Sequence, residues 1–111
     1  SRWLHGLPFG ASVTGPLAQR RDLAHLRAAP PAPGSIVVLP ALTAPAAIIL
    51  HELGLTAICC EHGGAMSHAA LMVRELGLSA LLGCRGARTL VDGTTAELDT
   101  RRGVLRPRAT R

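Results

Sequence analysis

At 111 residues, 48% of them apolar, the chain suits one compact domain with an aliphatic core and is too hydrophobic for general disorder. Its net charge of +5 comes from arginine alone, and Trp3 and Phe9 are its only Phe, Trp or Tyr side chains. Scattered cations without stacking rings argue against a nucleic-acid surface, although attraction to anionic ligands or acidic partners survives. Three cysteines, two of them adjacent in an apolar run, argue against a disulfide framework and for a reducing compartment. No stretch reaches the length of a membrane span and no signal peptide is visible, so a cytoplasmic location without membrane contact is expected. The chain opens on Ser1 rather than Met, which suggests a fragment of a longer, multidomain polypeptide.

In chain order, "LPFGASVTGPLAQRRDL" carries Gly6, Gly10, Gly15 and Pro16 between short apolar pieces and predicts a strand near residues 10 to 14. "RAAPPAPGS" reads as a Pro-rich loop over residues 27 to 35, and "SIVVL" as a buried strand over 35–39. An internal echo follows. "IILHELGLTAICC" and "LMVRELGLSALLGC" share one plan: an apolar helical stretch, a residue and then Glu, Leu-Gly-Leu, and a short apolar run. Gly54 and Gly77 stand where a helix takes a left-handed residue just past its end, and Thr43 is placed to cap the first helix, with Pro45 tolerated in its first turn.

The middle therefore predicts strand 35–39, helix 44–53, strand 56–60, helix 67–76 and strand 79–83. Strands joined through helices pair in parallel, by right-handed crossovers. The Asp92-Gly93 turn signal, the alternation in "TAELD" and a short strand after Gly103 predict antiparallel additions near the C-terminus. The expected class is α/β: a central, partly parallel sheet with helices and extra antiparallel strands from both ends.

The second helix holds the candidate chemistry. Ala69, Met72, Val73 and Leu76 fall at i, i+3, i+4 and i+7 and predict a buried stripe. His68 lies off that stripe, in the first turn, where unpaired backbone N–H groups and the positive end of the helix dipole converge. That end favours an anion placed upon the ring, and the imidazole offers a nucleophilic nitrogen there. Gly63 and Gly64, without side chains, allow the preceding loop to come close to a phosphate or a partner site, and Ser67 can cap the helix or donate to a phosphate oxygen.

"GGAMSHAALMVRELGLSALLGC" resembles the signature of the swivelling phosphohistidine domain of PEP-utilising enzymes, the group that includes PEP synthase, pyruvate phosphate dikinase and enzyme I. The residues that carry the resemblance are Gly63-Gly64, Ser67-His68-Ala69-Ala70, Val73-Arg74-Glu75-Leu76-Gly77 and Gly83. "PGSIVVLPALTAP" and "ARTLVDGTTAELDTRRGVL" extend it with less specificity, to roughly residues 10–106 of a single domain spanning 1–111. It implies a swivelling β/β/α domain in which His68 is the catalytic nucleophile, transiently phosphorylated, while Gly63, Gly64, Ser67 and Ala69 support the phosphate loop. Thr43 and Arg74 are further candidates. Two departures stand out: Ala46 replaces an acidic residue common after the Thr-x-Pro segment, and Ser67 replaces the commoner Thr.

By the same resemblance, the parent enzyme is a phosphotransferase or dikinase using PEP or pyruvate, ATP and Mg²⁺. The carrier needs no cofactor of its own and turns over nothing alone. Its partners are a nucleotide-binding (ATP-grasp-like) or acceptor domain and a PEP- or pyruvate-binding domain. The rival reading is an α/β interaction module that has lost phosphate transfer.

Arg74, six residues past His68, could reach the phosphate, a partner or a nearby carboxylate, whereas Glu75 is too distant to orient the ring. One of Leu71 and Met72 could give an apolar rim for docking; plain core is the alternative. Cys59, Cys60, His62, His68 and Cys84 lack the C-x-x-C or H-x-x-x-H spacing of a zinc site, so no metal is expected and the cysteines read as small apolar residues. His5, His25 and His51 read as surface residues. No Walker-type or dinucleotide pattern occurs, so nucleotide binding is not expected of this chain.

Overall fold

The computed structural model describes residues 3–108. Its elements are β1 (Leu4–His5), β2 (Leu7–Phe9), β3 (Val13–Gln19), α1 (Leu23–Ala28), β4 (Ile36–Leu39), α2 (Ala44–Glu52), β5 (Ala57–Cys60), α3 (His68–Leu76), β6 (Ser79–Leu82), a 3₁₀ turn (Ala87–Thr89), β7 (Thr95–Asp99) and β8 (Val104–Pro107). The strands form one mixed sheet in the order β1-β8-β7-β3-β4-β5-β6-β2. From β3 to β6 the pairs are parallel, each joined by the helical crossover that parallel strands need, and the remaining pairs are antiparallel.

The two ends of that order are consecutive pieces of one extended run. β1 pairs with β8, β2 pairs with β6, and only Gly6 separates them. The sheet thus nearly closes on itself through residues 4–9, which cover part of the β8 and β6 edges. Gly6 permits this because a Cβ there would lie 2.9 Å from the Leu82 carbonyl oxygen, and its N–H donates to the Gly103 carbonyl at 3.0 Å. Trp3 and Arg106 secure the seam: the guanidinium sits 4.6 Å from the indole centre and pairs with Glu97 at 2.6 Å and with buried Asp99 at 3.2 Å.

Two cores lie on the two faces of the parallel strands. Val37, Leu39, Ile58, Cys60, Ala80 and Leu82 point to the helices and pack with Leu26, Leu50 and Val73. Ile36, Val38, Ala57, Cys59 and Leu81 point the other way and pack with Leu17, Leu98 and Leu105. This period of two explains the unbroken apolar runs: every position of β4, β5 and β6 is buried, on one face or the other.

The sequence placed β4 to β8, α2 and α3 within a residue or two. The strand expected near 10–14 instead starts at Val13, and residues 4–9 supply two strands that the glycines had disguised as turns. The six-residue helix α1, capped by Asp22 through the N–H of His25 at 2.8 Å, was not expected; it is too short to show a periodic stripe.

Candidate functional site

Ser67 starts α3 with three hydrogen bonds. Its hydroxyl accepts from the Ala70 N–H at 3.2 Å and from the Gly64 N–H at 3.3 Å, and it donates to the Gly64 carbonyl at 2.7 Å. Of the two roles open to it, the structure takes the cap. The hydroxyl fixes the Gly64 turn to the helix and has no proton left for a phosphate. Ser67→Ala is expected to lower stability by about 1 kcal/mol in urea unfolding, the usual worth of a Ser cap, with Ser67→Thr close to neutral.

His68 is the first residue of that helix and is exposed. The N–H groups of His68 and Ala69 donate to no acceptor among the described residues. They are the first-turn donors that a helix leaves unpaired, and they sit beside the imidazole. Ala69 itself is buried, so it serves the site through its backbone while its methyl seats the helix. Gly63, at φ +118°, runs close beneath the turn; its carbonyl oxygen would be 2.8 Å from a Cβ at Gly83.

A shallow depression of about 320 Å³ opens at this helix end, lined by Ala65, Met66, Ser67, His68, Leu71 and Arg74. Met66 is 98% exposed and Leu71 52% exposed, so an apolar rim flanks the histidine. Of the two residues weighed for that rim, Leu71 takes it. Met72 is half-buried and turns with Leu76 toward a groove shared with Ala44, Ala47 and Ile48 of α2. The expected stripe is corrected accordingly. Ala69, Ala70 and Val73 are buried while Leu76, in the last turn, is 38% exposed at the groove between α3 and α2.

Arg74 takes none of the carboxylate pairings open to it: no carboxylate lies within ion-pair distance among the described residues. Its guanidinium lies 5.0 Å from the centre of the Phe9 ring. Thr43 is exposed and caps α2 through the Ala46 N–H at 3.2 Å, and it lines a different depression, with Arg21, Leu39 and Pro40. The structure therefore gathers Ser67, His68 and Arg74 around one hollow and leaves Thr43 outside it.

The thiols of Cys59, Cys60 and Cys84 are buried whereas His62 and His68 are exposed, so these five groups do not converge. Burial pushes the Cys60 thiol up to about 12, and Cys59, hydrogen-bonded to Cys84, is also held well above the ordinary thiol range. Both stay protonated and pack as apolar residues. Among the described residues, no group of three His, Cys, Asp or Glu side chains could hold a metal ion, and no helix is long and apolar enough to cross a membrane.

The family model described as PEP-utilising enzyme, mobile domain, matches residues 31–103. Chondramide synthase from Chondromyces crocatus is 38% identical over 78 residues, a match covering 66% of this chain and 2% of that protein's length. Among solved structures, the holo-form of aconitase X from Thermococcus kodakaraensis superposes with a TM-score of 0.71 at 16% identity, covering 98% of this chain and all of that one. A UPF0107 protein gives a TM-score of 0.67 at 9% identity, covering 97% of this chain and 100% of the other. Enzyme I gives 0.56 at 21% identity, covering 68% of this chain and 31% of that one. At such identities the structural likeness speaks for the fold alone.

Proposed function

The chain belongs to the mobile-domain family of PEP-utilising enzymes, and from that premise we propose that it is a phosphoryl carrier whose cargo rides on His68. The observation that carries the reading is the exposed imidazole on the first turn of α3, beside two unclaimed N–H groups and behind a glycine turn locked by Ser67. A ring nitrogen attacks the phosphorus of the donor, forming an N–P bond as the bond from phosphorus to the donor's leaving group breaks. The first-turn N–H groups and helix dipole then face the new negative charge. In the second transfer the imidazole is the leaving group and the acceptor takes the phosphoryl group.

Among the described residues, His68 opens onto a shallow hollow and not onto an enclosed pocket. The hollow is open and Met66 and Leu71 make part of its rim apolar, which suits brief docking on other domains better than retention of a small substrate. The phosphoryl source and its acceptor then belong to partner domains, an ATP-grasp-like or acceptor unit and a PEP- or pyruvate-binding unit, which supply ATP, Mg²⁺ and PEP or pyruvate. The carrier swivels between them as a cytoplasmic phosphotransferase component and does not turn over alone.

The test needs no partner. Phosphoramidate donates its phosphoryl group to histidines, with ammonia leaving as the new N–P bond forms. Incubated with it, the 111-residue chain should gain one phosphoryl group by intact mass, lost in acid and retained in base. A chain that stays unmodified, or whose label survives acid, contradicts the carrier reading and favours an interaction module.

A further inference from the structure

Arg74 ends a ridge along α3 in which His68, Leu71 and Arg74 follow one another at intervals of three, all exposed and all lining the same hollow. Six residues separate the imidazole from the arginine, about 9 Å along the helix axis. Helical side chains lean toward the N-terminus, which carries Arg74 back toward the histidine and the imidazole the same way, so the arginine must extend along the hollow to meet a phosphoryl group on the ring. What aims the arginine comes from elsewhere in the chain. Phe9, on the closing strand β2, pairs with Ala80 of β6, packs against the helix-side core and lies under the guanidinium at 5.0 Å.

Stacking engages the face of a guanidinium and leaves its in-plane N–H donors free. We propose that Phe9 is a positioning residue, holding Arg74 at the rim of the hollow so that its N–H edge meets a phosphoryl group carried by His68. This rests on the carrier reading and goes beyond it, since it assigns a second cation to the cargo and a role to a residue far outside the histidine block. The closing strand thereby does two jobs, sealing the sheet and setting the side chain that steadies the phosphate. Without Phe9 the arginine keeps its charge and loses its aim.

The experiment is a ³¹P titration of the chain loaded with phosphoramidate, in a double-mutant cycle. A fixed guanidinium draws down the pH at which the phosphoryl group loses its last proton. Arg74→Ala should raise that midpoint by about half a pH unit, in keeping with one partly screened charge at close range. Phe9→Leu should produce most of the same rise, Phe9→Tyr should restore the wild-type midpoint, and Phe9→Leu with Arg74→Ala should add nothing to Arg74→Ala alone. Global destabilisation by Phe9→Leu, followed separately by thermal unfolding, does not move a phosphoryl midpoint in the folded chain. If Phe9→Leu titrates like wild type while Arg74→Ala is shifted, Phe9 has no positioning role. If all variants superpose, Arg74 does not meet the phosphate. Either result overturns the proposal and leaves the carrier reading standing, whereas failure of the chain to load overturns both.

Discussion

Replacing His68 with alanine is expected to reduce phosphoryl uptake to background while leaving the fold intact. The side chain is exposed and lies off the face of α3 that carries Ala69, Ala70 and Val73 into the core. Losing it should change unfolding free energy by no more than about 0.5 kcal/mol, as for other surface positions without special contacts. No other group near the hollow replaces it: the Ser67 hydroxyl is committed to the Gly64 carbonyl, and Arg74 is a cation. His62, also exposed and on the same β5–α3 connection, is the natural control, because His62→Ala should load normally. Retained uptake in His68→Ala with loss in His62→Ala would place the phosphoryl group at the other end of that loop and contradict a carrier histidine on α3.

The second large effect is expected at Gly83, which sits on the other side of the Gly63 turn. Its φ of +65° alone penalises a side chain by about 1 kcal/mol. A Cβ there would also lie 2.8 Å from the Gly63 carbonyl oxygen, and Gly63, at φ +118°, occupies a region that other residues rarely enter. The turn cannot yield without disturbing Ser67 and the start of α3. Gly83→Ala should therefore cost about 2–3 kcal/mol in urea unfolding and slow the loading of His68. Gly54→Ala separates the two causes. Gly54 has nearly the same backbone, φ +70°, but nothing within 4 Å of its ideal Cβ, so its alanine variant should show only the conformational part, about 1 kcal/mol, and load at the wild-type rate. Equal losses at the two glycines would mean that the close approach between Gly83 and Gly63 contributes nothing.

Local signals in the chain announce much of this architecture. The runs "IVVL", "AICC" and "SALL" are buried on both faces, and Gly54 and Gly77 stop their helices in left-handed conformations, so period and punctuation sufficed for the parallel core. Ser67 and His68 were legible for the same reason, since a cap and a first-turn residue are defined by neighbours in sequence.

The features that escaped depend on distant pairing. Residues 4–9 look like turn material because Gly6 and Gly10 punctuate them, and only their partners, β8 on one side and β6 on the other, make them strands. Phe9 was invisible as a site residue because its contact with Arg74 exists only once β2 has closed the sheet. Thr43 shows the converse. It sits in a segment resembling the family's and caps its helix as expected, yet its side chain lines another hollow. The match to the mobile-domain family begins at residue 31, so β1, β2 and β3 precede the matched region, whereas the likeness to aconitase X spans 98% of the chain and includes them. The closing strands are thus a property of the fold, shared with proteins to which this chain bears little sequence identity.

The most direct measurement is a ¹H–³¹P correlation spectrum of the chain after loading with phosphoramidate, with the imidazole protons assigned residue by residue. A single phosphorus resonance coupled to ring protons of His68 is expected, absent in His68→Ala and unchanged in His62→Ala. Phosphorus coupled to His62, His5, His25 or His51 instead, or spread among them without preference for His68, would contradict it.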